Sequence, residues 1–144
     1  MANATPRLNI LLVDDDPAIV RLVSQVLQSH FGDRISLAGQ TDSNAAIVWL
    51  DHNCCDLLLS DISMPGIDGL ELLKLAKRRN AWTQVIFLTG HSTWERIDQA
   101  LESGASDYLL KPIDRRELIQ LVEQTAARCA RWRSAVAETL VQNA

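Results

Sequence analysis

Five short apolar runs, each followed by a stretch of helical period, recur along residues 8–125 of this chain. That alternation narrows the architecture more than any single residue does. The first run, Leu8–Val13, has no polar alternation, as expected of a strand covered on both faces. Similar runs stand at 34–38, 56–60, 84–88 and 106–110. Between them lie helix signals. Asp16 before Pro17 reads as an N-cap with proline at the first helical position, and Ile19, Leu22, Val23, Val26 and Leu27 follow at helical spacing as far as Gly32. Thr41 or Asp42 caps a helix to about residue 50. The turn-rich stretch 64–69 leads into another that ends near Arg79, and a fourth spans about 93–102 with Gly104 as its stop. A last helix begins near Asp114. Strands alternating with helices predict a parallel, doubly wound α/β sheet with helices on both faces.

At 144 residues the chain suits one such domain, expected over 7–127, with a helical extension over 128–144. The formal net charge of −4 argues against a broad nucleic-acid surface, and the basic residues Arg128, Arg131 and Arg133 are a local concentration. Cys54, Cys55 and Cys129 form an odd set without metal-ligand spacing and read as reduced thiols. No run approaches membrane-span or signal-peptide length, so a soluble, cytoplasmic protein is expected. In the last helix, Leu118, Val122, Thr125, Cys129, Trp132, Val136 and Thr139 fall on alternating spacings of four and three. This stripe serves either packing along the domain or a protruding helix that forms a homodimer or leads toward an output module.

The unusual polar residues all fall at strand ends. Asp14 and Asp15 close the first run, Asp61 follows the third, Thr89 the fourth and Lys111 the fifth. In an open parallel sheet the crevice at the carboxyl ends of the strands is the ligand site, so these five side chains should converge there. Three clustered carboxylates need a proton or a cation to coexist. Mg²⁺ fits, with Asp15 and Asp61 as direct ligands, Asp14 through water, and the Ser63 backbone carbonyl as a further oxygen. Lys111 supplies positive charge to an anion, and the Thr89 hydroxyl can donate to a phosphoryl oxygen. A carboxylate can itself attack phosphorus to form an acyl phosphate.

Four segments then carry a specific likeness. Val13-Asp14-Asp15-Asp16, the stretch from Ser60-Asp61 to Asp68-Gly69, Leu88-Thr89-Gly90, and Asp107-Tyr108-Leu109-Leu110-Lys111-Pro112 resemble the receiver domain of two-component response regulators over about residues 7–127. The resemblance implies a flavodoxin-like, CheY-like five-stranded sheet of order 2-1-3-4-5. It implies Asp61 as phospho-acceptor and Asp14 with Asp15 as the Mg²⁺-holding acid pair. Thr89 becomes the switch hydroxyl, Tyr108 the aromatic that turns inward with it, and Lys111 the phosphate-contacting lysine, with a cis bond to Pro112. Ser63 and His91 take the positions that set phosphoryl lifetime. The implied donor is a sensor histidine kinase or a phosphotransfer protein, and the implied readout is the face of the fourth helix, fifth strand and final helix, presented to an unknown downstream protein. The chain would thus be a signalling switch that catalyses only its own phosphorylation and dephosphorylation.

Two other readings stand beside this one. Asp14-x-Asp16 resembles the nucleophile motif of haloacid-dehalogenase-type phosphatases, although Ala18 sits where that motif usually has threonine or valine. A receiver-like interaction module that works without phosphate is the other. Asp14 to Asp16 alone could also be a capped helix start, Lys111 alone a surface lysine, and Tyr108 alone a half-buried strand aromatic.

Overall fold

A computed structural model describes residues 6–90 and 93–143. In chain order the elements are β1 (Leu8–Val13), α1 (Pro17–Phe31), a 3₁₀ turn (Gly32–Arg34), β2 (Ile35–Gln40), α2 (Ser43–His52), β3 (Leu57–Asp61), α3 (Gly69–Arg79), β4 (Gln84–Thr89), α4 (Trp94–Glu102), β5 (Asp107–Leu110) and α5 (Arg115–Gln142). The five strands form one all-parallel sheet of order β2-β1-β3-β4-β5. The doubly wound architecture and strand order expected from the sequence are those found.

The helices start where short polar side chains can hold their free amides. Asp16, Asp42, Asp68, Thr93 and Asp114 each accept from an amide in the first turn of α1 to α5 respectively. Of the two caps expected for α2, Asp42 is the one used. Gly32 adopts φ +53°, which ends α1 and turns the chain through the 3₁₀ segment. That turn takes up Arg34, so β2 begins one residue later than expected and continues to Gln40. Gly104, at φ +95°, stops α4 as expected.

Each face of the sheet carries its own apolar layer. Ile10, Leu12, Leu57, Leu59, Ile86 and Leu88 point toward α1 and the first half of α5. Leu11, Val13, Leu58, Val85 and Phe87 point toward α2, α3 and α4. Strands covered on both sides need no polar alternation, which explains the continuous apolar runs.

The 28-residue α5 changes character along its length. Leu118, Val122, Thr125 and Cys129 are buried against the domain, whereas Trp132, Val136 and Leu140 are exposed. Two arginines tie the middle of the helix to the amino ends of the strands. Arg128 donates to the Gln84 amide oxygen at 3.0 Å, and Arg133 donates to both oxygens of the buried Asp56 carboxylate at 2.9 Å. Asp56 also accepts the Asn9 amide at 2.8 Å. Among the described residues, no helix is long and apolar enough to cross a membrane.

Candidate functional site

The carboxyl ends of β1, β3, β4 and β5 meet in one cleft, because parallel register places their last residues side by side. Asp61 pairs with Leu88, and Thr89 with Leu110. Asp61 and Thr89 are the last residues of their strands rather than the first of the following loops, so both are fixed by sheet hydrogen bonding. The Lys111 amide donates to the Thr89 carbonyl at 2.8 Å, which extends that order one residue past β5, and the Lys111–Pro112 peptide is cis.

Asp14, Asp15 and Asp61 each offer a carboxylate oxygen, and these lie within 4.8 Å of one another. Asp14 is wholly buried, Asp61 partly so, and Asp15 is exposed. Lys111 closes the cluster. Its Nζ lies 2.7 Å from Asp14 Oδ2 and 3.3 Å from Asp61 Oδ2. The shorter contact, to Asp14, is an ion pair off the line of a directed hydrogen bond, so this buried oxygen still lacks one. Asp14 Oδ1, by contrast, accepts the Asp16 amide at 2.9 Å. Asp16 takes no part in the cluster; its carboxylate accepts the Ala18 amide at 2.9 Å as the cap of α1.

Burial raises the Asp61 carboxyl above the ordinary aspartate range, and the Asp14 charge raises it further, against the lowering influence of Lys111. For Lys111, burial works against the charged form, but the close contacts with the Asp14 and Asp61 carboxylates outweigh it and hold the ammonium above its usual pKa. The site is therefore short of positive charge: one lysine faces three carboxylates. A buried carboxylate oxygen without a directed donor, beside two further hard oxygens, suits a small divalent cation such as Mg²⁺. The donor set fits the metal.

The remaining candidates surround this cluster. Thr89 is buried at the end of β4 and lines a cavity of about 30 Å³ beneath α4, together with Phe87, Ile97, Ala100 and Tyr108. Tyr108 stands half exposed at the rim of that cavity. Ser63 is exposed on the loop after Asp61, and its amide helps to lower the Asp61 pKa. His91 lies outside the described residues.

Two features of the site were not read from the sequence. Gly69 begins α3 so close to the end of β3 that a Cβ there would lie 2.1 Å from the Asp61 carbonyl oxygen and 2.9 Å from Ile62 Cα. Its amide donates to the Ile62 carbonyl at 2.8 Å. The Asp68-Gly69 pair gave a signal, but it read as a turn. Arg96 of α4, which donates to Asp68 at 2.8 Å, carried no signal beyond an ordinary helix-surface arginine.

Comparison with known proteins matches residues 10–123 to the family model described as the response regulator receiver domain. Among curated relatives, the DNA-binding transcriptional regulator NtrC of Salmonella typhimurium is 38% identical over 115 residues, which are 80% of this chain and 24% of that protein. A 14.6 kDa uncharacterized protein from Leptolyngbya boryana is 36% identical over 120 residues, covering 82% of this chain and 89% of that protein. The chain spans about a quarter of the length of the NtrC relatives it matches. A CheY-like response regulator receiver domain protein from Methanospirillum hungatei superposes with a TM-score of 0.79 at 27% identity, over 85% of this chain and 96% of that one.

Proposed function

The chain belongs to the response regulator receiver domain family, and on that premise we propose that it accepts a phosphoryl group on Asp61 from the phosphohistidine of a sensor kinase or a phosphotransfer protein. The observation that carries this reading is the junction of Asp14, Asp15 and Asp61 with Lys111 at the carboxyl end of the sheet. Asp61 is the member of the acid cluster that is both partly accessible and fixed at a strand end, as a nucleophile must be.

Each neighbour has a task in such a transfer. An Asp61 carboxylate oxygen attacks phosphorus while the phosphorus–nitrogen bond to the donor imidazole breaks. Asp14, Asp15 and Asp61, with the Ser63 carbonyl, are the groups that would hold Mg²⁺. When bound, the ion neutralises charge on the phosphoryl oxygens and on the acid cluster. Lys111, already between Asp14 and Asp61, is placed to pair with a phosphoryl oxygen. The Thr89 hydroxyl, at the end of the strand beside that of Asp61, would donate to another such oxygen. Tyr108, at the rim of the cavity that Thr89 lines, would follow it inward. The surface formed by α4, β5 and α5 would then present a changed shape to a downstream partner. Ser63 and His91 would set how quickly water removes the group. The protein acts in the cytoplasm as a switch, and its chemistry is confined to its own phosphorylation and dephosphorylation.

The direct test is labelling with acetyl phosphate, or binding of beryllofluoride, in the presence of Mg²⁺. Asp61→Asn should abolish both, and chelation of Mg²⁺ should do the same to the unsubstituted chain. Labelling that survives Asp61→Asn would remove the assignment.

A further inference from the structure

α4 is the helix least committed to the core. Ala100 is its one buried residue, and Trp94 and Leu101 are 71% and 63% exposed. Between α4 and the sheet lies the small cavity floored by Ile62 and Phe87. Few dispersion contacts therefore fix its position, and a helix packed over a void can shift at low cost.

One polar tether compensates. Arg96, in the first turn of α4, extends Nη1 to Asp68 Oδ2 at 2.8 Å, and among the described residues this is α4's only ion pair. The other oxygen of the same carboxylate, Oδ1, accepts the Glu71 amide at 3.0 Å as the cap of α3. Asp68 thus sits at the end of the segment that runs from the acceptor Asp61 into α3, and it holds the start of α4 against that segment. Partial burial favours protonation of Asp68, yet the Glu71 amide and Arg96 outweigh it and keep the carboxyl below its ordinary range.

We propose that the Arg96–Asp68 pair is a latch that sets the resting position of α4 and thereby limits how readily the acceptor site takes a phosphoryl group. This inference rests on the phospho-acceptor reading. A ligand that favours a displaced α4 binds with an affinity reduced by the small fraction of molecules already displaced. Weakening the latch enlarges that fraction, so binding at Asp61 should tighten although neither latch residue touches the bound group.

Beryllofluoride titration with Mg²⁺ on the 144-residue chain tests this. Asp68→Asn removes the charge while asparagine still caps α3, and Arg96→Gln removes the other partner. Each should tighten binding by about twofold to fivefold, the range of a partly exposed ion pair. The Asp68→Asn/Arg96→Gln double variant should match the stronger single variant rather than the product of the two. Amide hydrogen exchange should quicken in residues 94–102 and stay unchanged in 69–79, a pattern that general destabilisation would not produce. Unchanged or weaker binding in either single variant, multiplicative effects in the double, or faster exchange throughout the domain would overturn the latch. Absence of beryllofluoride binding in the unsubstituted chain would instead overturn the phospho-acceptor reading on which it rests.

Discussion

Gly69 and Asp61 are in backbone contact: a methyl group on Gly69 would lie 2.1 Å from the Asp61 carbonyl oxygen. Eight residues apart in sequence, they bring the start of α3 against the end of β3 with no space for a side chain. The Asp61 carbonyl also accepts the Ser60 hydroxyl at 2.8 Å, so this oxygen is held from two sides. The Asp61 carboxylate is thus mounted on a backbone that cannot easily shift.

Gly69→Ala should therefore destabilise the fold by about 3 kcal/mol, the upper part of the range for overpacking, because the clash is with backbone that cannot rotate away. Gly90→Ala makes the comparison, since among the described residues a Cβ there would meet the Lys111 side chain at an ordinary 3.5 Å. It should cost less than about 1 kcal/mol. Urea midpoints of the two variants decide the matter; equal midpoints would show that α3 is free to withdraw from β3.

The second prediction concerns the foot of the domain. Arg133→Ala leaves the buried Asp56 carboxylate with the Asn9 amide as its remaining partner. The loss should be about 1–2 kcal/mol, below the value for a fully buried pair because Arg133 is itself 41% exposed. Ending the chain after Ala127 should cost more, since it also removes the buried Cys129 from the core and Arg128 from Gln84. Thermal melting of the three forms should fall in that order. A shortened chain that melts with the full one would mean that the tail contributes nothing to the domain.

The cysteines should differ in reactivity. Burial pushes the Cys55 thiol up to about 12 and raises Cys129 as well, whereas Cys54 is exposed. Since the thiolate is the reactive form, a disulfide reagent at neutral pH should titrate one thiol quickly in the native chain and three in denaturant. Cys54→Ser should remove the fast phase. A rapid thiol remaining in that variant would show that the fold opens near Cys55 or Cys129.

Much of this was legible beforehand, and the reason is periodicity. Strands covered on both faces leave unbroken apolar runs such as Leu8–Val13, and the cap residues Asp16 and Asp114 mark helix starts by chemistry that acts within three residues. Parallel connection then brings every strand's carboxyl end to one edge, so Asp14, Asp61, Thr89 and Lys111 could be grouped without knowing any distance. Contacts between remote surface residues have no such period. Asp56 and Arg133 are 77 positions apart, Asp68 and Arg96 28, and nothing local in either pair distinguishes it from solvated charge. The same holds for the balance within the site. Sequence placed Lys111 beside the acids, but not that it would lie nearer Asp14 than Asp61. The heptad stripe of α5 was ambiguous because it serves two environments in turn, core to Cys129 and solvent beyond it.

The void under α4 holds roughly one or two water molecules. Thr89 and Tyr108 both line it, so the side chains at the ends of two neighbouring strands border the space that α4 covers. The end of β4, the start of β5 and α4 therefore share one loosely filled junction, where a shift of any one of them is felt by the other two.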